Sequence, residues 1–203
     1  MLDRIRETDG TRLDRRSYHG QMRIEIERAN GIAWKLERSQ CFTEAADDPA
    51  WQAFQSGDWT KSLDVFKEER ESLAAEAGKY ARQGSRFCRL RVVEHPVSAY
   101  VQWEMYSLKI IDEAGMPVRV LATDAVRDLE HAHPLPEVVI VGSRVLYEVC
   151  YDDTWAACGA RRIDDPAVIG QASAEMAELW REAEPLPTYF EREIAPLPPP
   201  ALS

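Results

Sequence analysis

The stretch that most limits how this chain can fold is residues 137–151, which read EVVIVGSRVLYEVCY. A short apolar run is followed by Gly142 and Ser143 and then by a second apolar run, which is typical of a β-hairpin. Elsewhere, strand-like segments alternate with helix-like segments, which indicates an α/β fold. A hairpin inside such a series needs antiparallel neighbours, so the sequence predicts a mixed β-sheet flanked by helices rather than a purely parallel sheet.

The other elements are predicted from residue periodicity and from end signals. Alternation predicts strands at 32–38, 86–95, 117–122 and 158–163. Helical spacing predicts helices at 12–30, 98–114, 123–133 and 166–184, a short one at 187–194, and two helices between 47 and 84. Residue types that favour helix N-caps predict the caps Asp48, Asp58, Ser98, Thr123 and either Asp164 or Asp165.

Three segments are expected along the chain. Residues 1–40 are expected to form a helical N-terminal extension with one strand, packed on an α/β domain of residues 41–195. Residues 196–203, PLPPPALS, are expected to form an extended, proline-rich tail. No linker long enough to separate two domains interrupts residues 41–195.

Charge is distributed unevenly along the chain. The formal net charge is −10 at pH 7, yet residues 1–40 carry 9 Lys and Arg against 7 Asp and Glu, while the remainder carries 16 against 28. An acidic body repels polyanions over most of its surface, so we expect no direct nucleic-acid binding. The basic N-terminal segment could still touch phosphates, although scattered charge on a solvated helix is the simpler explanation.

The distribution of apolar residues predicts where the protein is found. The longest apolar run, VVIVG, is far shorter than a membrane span. The first sixteen residues are charged throughout and contain no apolar core of a signal peptide. We therefore expect no membrane association and a cytoplasmic location.

Known catalytic and nucleotide-binding motifs do not occur in the sequence. It has no GxxxxGK[ST], GxGxxG or GxSxG segment. The cysteines form no CxxC pair, which argues against a zinc ribbon and a redox motif: Cys41, Cys88, Cys150 and Cys158. Glu130, His131 and His133 could chelate a metal only on extended backbone. We therefore expect no catalytic residues of a known class, no metal and no cofactor.

Polar residues gather where the predicted strand 86–95 meets the helix that follows it. Arg89 and Arg91 share one face of that strand, and a half-buried arginine needs a carboxylate partner, for which there are three candidates: Glu104, Glu148 and Asp152. Two interpretations stay open, namely a structural Arg–Glu network and a polar cleft that binds a ligand. The ligand-binding candidates are Trp34, Arg89, Arg91, His95, Trp103, Glu104 and Glu148.

Several segments together resemble a known protein family. WKLERSQCF, DDPAWQAFQSGDW, RLRVVEHPVSAYVQWEMYSL and LPEVVIVGSRVLYEVCYDD are similar to segments of a large family of uncharacterised proteins from filamentous, high-GC bacteria. The resemblance extends over nearly the whole chain. It implies genes near helix-turn-helix regulators and no assigned chemistry.

The second half of the chain also resembles a degenerate phospholipase-D-like fold. Placing that family's aspartate at Gly142 puts its nucleophilic histidine at Leu135 and its phosphate-binding lysine at Glu137. A leucine cannot attack phosphorus, and a glutamate repels phosphate. The resemblance therefore implies a scaffold without the catalytic groups of that family.

The leading functional prediction is a non-catalytic cytoplasmic protein that regulates or interacts, senses a ligand, and acts with a DNA-binding regulator. Its expected partners are a helix-turn-helix protein or a small molecule, and a homodimer is an open alternative. The second prediction is a small-molecule enzyme whose cleft is formed by the strand at 86–95, the helix at 98–114 and the hairpin at 137–151. Its polar set would be Arg91, His95, Glu104 and Glu148, converging on one cavity.

Overall fold

The computed structural model of the protein describes residues 1–130 and 133–200. Its strands are β1 (Thr11–Asp14), β2 (Gly31–Glu37), β3 (Ser85–Val93), β4 (Val118–Ala122), β5 (Val138–Val141), β6 (Val145–Tyr151), β7 (Ala157–Ile163) and β8 (Glu184–Pro185). Its α-helices are α1 (Arg15–Arg28), α2 (Pro49–Gln55), α3 (Trp59–Glu68), α4 (Arg70–Arg82), α5 (Ala99–Glu113), α6 (Pro166–Glu182) and α7 (Leu186–Tyr189). Shorter helical segments are the 3₁₀ turns Leu2–Glu7 and Thr123–Leu129 and the π-helical turn Phe190–Ile194.

The strands form one sheet in the spatial order β1-β7-β6-β5-β2-β3-β4-β8. β2, β3 and β4 are parallel to one another, and the remaining neighbours pair antiparallel. The β5–β6 hairpin joins the parallel part because β5 pairs antiparallel with β2. The predicted mixed α/β fold is therefore confirmed, and the hairpin is what makes the sheet mixed.

One face of the sheet is covered by α6 and by the 3₁₀ turn Leu2–Glu7. Alternate residues of the internal strands point to this face, among them Leu36 and Leu90, and they are fully buried. Leu2 and Ile5 are fully buried in the same core. The N-terminal turn thus supplies part of the interior.

Two separate groups of helices cover the other face. α1 packs over β5, β6 and β7 through Tyr18 and Ile26. α2, α3 and α5 pack over β3 and β4 through an aromatic core that includes Phe54 and Trp103. Between these two apolar cores, β2 and β3 present charged side chains on the same face.

The predicted helices differ from the observed ones mainly at their ends. The helix predicted at 12–30 begins at Arg15, because the residues before it pair with β7 as β1. The long helix predicted before Gly84 is divided at Glu69 into α3 and α4. α3 buries Phe66, whereas Leu73 and Tyr80 of α4 are only half-buried against the apolar cores.

The predicted helix caps are mostly confirmed. The side chains of Asp48, Asp58, Ser98 and Asp165 accept hydrogen bonds from backbone N–H groups in the first turn of α2, α3, α5 and α6. The cap predicted at Thr123 is wrong, because its hydroxyl instead donates to the carbonyl oxygen of Val93. Sequence spacing cannot distinguish these two uses of a threonine hydroxyl.

The first forty residues contribute strands to the same sheet as the rest of the chain. β1 lies at one edge, and β2 lies between β5 and β3 in the interior of the sheet. Near the other end of the described chain, the carbonyl oxygen of Pro198 accepts a hydrogen bond from Gln102. The division at residues 40 and 195 stays a prediction.

Among the helices of the described residues, none combines the length and the apolar character that crossing a bilayer requires. The cytoplasmic location stays a prediction.

We expect Leu2→Ala to lower the free energy of unfolding by about 3 kcal/mol, because it leaves a cavity in a closed core. Leu197→Ala is the matched control, since Leu197 is 37% exposed against 0% for Leu2, and it should change stability by less than about 0.5 kcal/mol. Urea denaturation followed by tryptophan fluorescence measures both values. Equal, small losses would mean that the N-terminal turn is not part of the core.

Candidate functional site

A cleft opens on the second face of the sheet, between α1 and α5. Its floor is the middle of β2 and β3, and its volume is about 350 Å³. Its walls include Tyr18 and His19 of α1, Phe42 and Glu44 of the loop after β2, and Tyr100 and Trp103 of α5. We call this cavity the central cleft.

The pairing of β2 with β3 brings four charged residues together. The two strands are parallel, and their register places Lys35 beside Arg89 and Glu37 beside Arg91. Because side chains alternate along a strand, all four point to the same face. The floor therefore carries three cations and one carboxylate on two adjacent internal strands.

Glu37 is the carboxylate that the floor cations share. Lys35 Nζ lies 2.6 Å from one oxygen of Glu37, and Arg89 Nη1 donates to the other at 3.0 Å. Burial by itself raises the pKa of Glu37, but the positive charges of Arg89 and Lys35 outweigh it and lower that pKa to about 2. Glu37 thus stays ionised, and it is one negative charge for two partly accessible cations.

Arg91 lies beneath the cleft and is fully buried. Its Nε donates to Glu104 Oε2 at 2.7 Å, and its Nη1 donates to the carbonyl oxygen of Val92 at 3.0 Å. Its Nη2 has no acceptor in the described structure. A buried guanidinium is stable only with such partners, so Glu104 joins α5 to the sheet at this point.

Glu104 differs from Glu37 in its pKa. Burial raises the pKa of Glu104 to about 7, because desolvation outweighs the attraction of Arg91 and the negative charge of Glu37 adds to the rise. Glu37 therefore stays ionised, whereas Glu104 on α5 takes up a proton near neutral pH.

Trp103 belongs mainly to the neighbouring aromatic core. Its indole Nε1 donates to Ser62 Oγ at 2.7 Å, and its ring stacks on Phe54 with centroids 5.1 Å apart. Its outer edge borders the central cleft. Tyr100, one turn earlier on α5, donates its hydroxyl proton to Glu44 on the opposite wall.

Three of the predicted site residues lie elsewhere. Trp34 points to the opposite face of the sheet and packs against Trp180, with ring centroids 5.5 Å apart. His95 follows β3 and lines a shallow groove at the ends of β3 and β4. Glu148 accepts two hydrogen bonds from Arg161, at 2.6 and 2.9 Å.

The structure thus brings Arg89, Arg91, Trp103 and Glu104 together and separates them from the other candidates. The four residues expected to converge in the enzyme alternative do not share one cavity in the described residues, since Glu104, His95 and Glu148 line three different ones. Whether any of the candidates binds a ligand stays a prediction.

Sequence reasoning missed Lys35, Glu37 and Glu44 as parts of a site. The available signal was that Lys35 and Glu37 alternate along their strand in the same way as Arg89 and Arg91. Only the parallel pairing of β2 with β3 shows that the two pairs form one surface.

A second cavity, of about 640 Å³, lies beyond Tyr151, which lines both cavities. At its wall, the carboxylate of Glu137 accepts hydrogen bonds from the backbone N–H groups of Arg38 and Ser39, at 2.9 and 2.6 Å. Burial raises the pKa of Glu137 to about 7. Glu137 therefore holds the backbone that follows β2, a role the phospholipase-D-like alignment does not anticipate.

Within the described ranges, no three side chains of His, Cys, Asp or Glu gather as a metal-binding group. His131, one of the chelating residues considered, lies outside the described residues.

The raised pKa of Glu104 gives an expected pH dependence of stability. Because the folded protein holds this proton more tightly than the unfolded chain, the free energy of unfolding falls as pH rises from 4.5 to about 7. Each unit by which folding raises a pKa corresponds to about 1.4 kcal/mol. Glu104→Gln should remove the loss of stability that comes from Glu104 and leave the loss that comes from Glu137. Urea denaturation at pH 5 to 8 measures both.

Glu113→Gln is the control for this experiment. The hydrogen bond from Lys109 lowers the pKa of Glu113 below its ordinary value of 4.5. The stability that this carboxylate contributes is therefore lost only as the pH falls below 4.5. Its profile should therefore match the wild type between pH 5 and 8. If Glu104→Gln also matched the wild type, Arg91 would be keeping Glu104 ionised throughout.

Among solved structures, the chain is similar in fold to TrmBL2, an archaeal chromatin protein whose structure is described as showing a novel mode of DNA binding. The sequence identity is 13%, the TM-score is 0.46, and the match covers 86% of this chain and 52% of the other. The chain thus spans about half the length of the protein it matches. No curated protein matches the sequence.

The expectation of no direct nucleic-acid binding is contradicted by this match to a chromatin protein described as showing a novel mode of DNA binding. The expectation rested on the net charge, which sums over the whole surface, whereas residues 1–40 carry more basic than acidic side chains. The exclusion is therefore withdrawn. At 13% identity and a TM-score of 0.46, the match does not show that this chain binds DNA.

A protein-family model matches residues 23–191, a stretch that contains both floor strands and α5. The expected bacterial origin, regulator genes nearby and phospholipase-D-like resemblance stay predictions. With most of its length matched, the chain belongs to the family described as a domain of unknown function, DUF6879.

Proposed function

We propose that this protein is a non-catalytic regulatory protein that senses a small molecule with a negatively charged group in the central cleft. The observation that carries the proposal is the sharing of Glu37 by Lys35 and Arg89, which line the cleft. One carboxylate for two cations leaves a surplus positive charge where a ligand can reach it. Anionic groups are stabilised at such a position because the protein has already paid for orienting the cations.

The size and walls of the cleft support a small ligand. A volume of about 350 Å³ lies in the range of small-molecule sites, which combine mostly apolar walls with a few charged groups. Phe42 and Tyr100 supply an aromatic wall, with ring centroids 5.8 Å apart.

The interactions of the floor favour binding over turnover. Glu37 is held ionised by two cations, and Glu104 is bonded to the buried Arg91. In these contacts the charged groups neutralise one another and fix the sheet to α5, which is a binding and structural role.

One observation favours the enzyme alternative. A carboxyl group with a pKa of about 7, as in Glu104, suits general acid–base chemistry near neutral pH. A bound compound that is consumed by the wild type and left intact by Glu104→Gln would support an enzyme instead of a sensor.

Lys35→Met tests the proposed function. Compounds carrying a carboxylate, phosphate or sulfonate are first screened for those that raise the melting temperature at pH 7.5. Calorimetry should then show that Lys35→Met weakens each hit by at least about ten-fold, the equivalent of about 1.4 kcal/mol. The reason is that Glu37 would then be fully neutralised by Arg89 alone.

Lys109→Met is the matched control, because the side chains of Lys35 and Lys109 are 28% and 31% exposed and each pairs with one glutamate. Lys109 lies on α5 and does not line the cleft. It should bind every hit as the wild type does. A screen without hits, or hits that bind Lys35→Met unchanged, would contradict the proposal.

A further inference from the structure

The two ends of the central cleft carry opposite charge. The end formed by α1 and the floor strands is basic: Arg15, His19, Lys35 and Arg89 line it. Arg15 makes no ion pair in the described residues, and Lys35 and Arg89 share one carboxylate. Burial, together with the charges of Arg15 and Lys35, lowers the pKa of His19, as expected for a ring in a positive field.

The other end of the cleft is acidic. It is lined by Glu44 of the loop after β2, by Asp48 at the start of α2, and by Glu69 between α3 and α4. Within the described part of the chain, none of these three carboxylates pairs with a cation. Burial and the charge of Asp48 raise the pKa of Glu69.

Aromatic side chains form the wall that accompanies the acidic end. Tyr100 donates its hydroxyl proton to Glu44, and its ring meets Phe42 edge to face at 5.8 Å. Phe42 in turn stacks on Tyr151 at 5.2 Å. A molecule in the cleft thus meets cations at one end, and carboxylates beside aromatic rings at the other.

We infer that the ligand of the central cleft is a zwitterion of the amino-acid type, with its carboxylate at Lys35 and Arg89 and its ammonium group at Glu44. This inference rests on the proposed function and names the ligand class for the same site. A ligand with only a negative charge would satisfy the basic end and leave Glu44 with Tyr100 as its hydrogen-bond partner and no cation beside it. A zwitterion compensates both ends at once.

The ammonium group has a further partner at the acidic end. A cation is attracted to the face of an aromatic ring, and Tyr100 lies beside Glu44. An apolar or aromatic side chain on the ligand would find the same ring. Amino acids and their short derivatives also match the volume of about 350 Å³.

The test compares molecules that share one body and differ in charge. The common amino acids are screened by thermal shift at pH 7.5, and for each hit the matching amine without carboxylate and acid without amino group are titrated by calorimetry. For phenylalanine, these are phenethylamine and 3-phenylpropionate. The amino acid should bind at least ten-fold more tightly than either relative.

Two substitutions assign the ends. Lys35→Met should weaken binding of the amino acid ten-fold and leave binding of the amine unchanged, because the amine carries no carboxylate for Lys35 to bind. Glu44→Gln should weaken the amino acid ten-fold and leave the des-amino acid unchanged, and it keeps an acceptor for the Tyr100 hydroxyl. Lys109→Met and Glu113→Gln, which alter an ion pair on α5 away from the cleft, should bind like the wild type.

The outcomes separate this inference from the proposed function. If the des-amino acids bind as tightly as the amino acids, or if Glu44→Gln has no effect, the ligand is a simple anion, so the inference is wrong and the proposed function stands. The same holds if amino acids do not bind and other anions do. If no amino acid and no anion binds, both are overturned.

Discussion

The parallel pairing of β2 with β3 is the constraint on which the rest of this site depends. It places Lys35, Glu37, Arg89 and Arg91 on one face of two internal strands, where apolar residues would normally lie. Once Arg91 is buried there, a carboxylate has to accompany it, and Glu104 on α5 supplies it. Removing one partner of such a pair typically costs about 3–5 kcal/mol. α5 is therefore fixed beside the charges, and the space between it and α1 stays open.

The three cations of the floor divide into one structural cation and one accessible pair. Arg91 is completely buried and ties α5 to the sheet, whereas Lys35 and Arg89 reach the cleft with partly exposed side chains. The apolar core under α6 supports the strands from behind and holds these charges in fixed positions. A structural Arg–Glu network and a polar cleft, which are alternatives in the sequence, are therefore neighbours in the structure.

Much of the fold follows from local patterns in the sequence. The hairpin, the alternation of β3 and the cap at Ser98 predict a mixed sheet with α5 beside two arginines, and Glu104 is among the expected partners of a buried arginine. These features depend on residues close in sequence, where periodicity and end signals are informative. The side of the strand on which Arg91 lies follows in the same way.

The missing parts of the site depend on which strands become neighbours. Periodicity shows that Lys35 and Glu37 share a face, but only the strand order places them beside Arg89. Trp34 and Glu148 show the same limit for residues that lie outside the cleft. The alternating pattern predicts the face of the strand on which each lies, but it does not predict that Trp180 covers Trp34 or that Arg161 binds Glu148. Strand order is set by packing over the whole domain, so one chain's local pattern cannot supply it.

The two outermost strands limit how this protein can assemble. β8 is two residues long and includes Pro185, which lacks a backbone N–H, while β1 has four residues. Neither border offers a long row of free N–H and carbonyl groups to a strand from another molecule. Short borders of this kind disfavour the stacking of copies of this chain, edge to edge, into continuous ribbons.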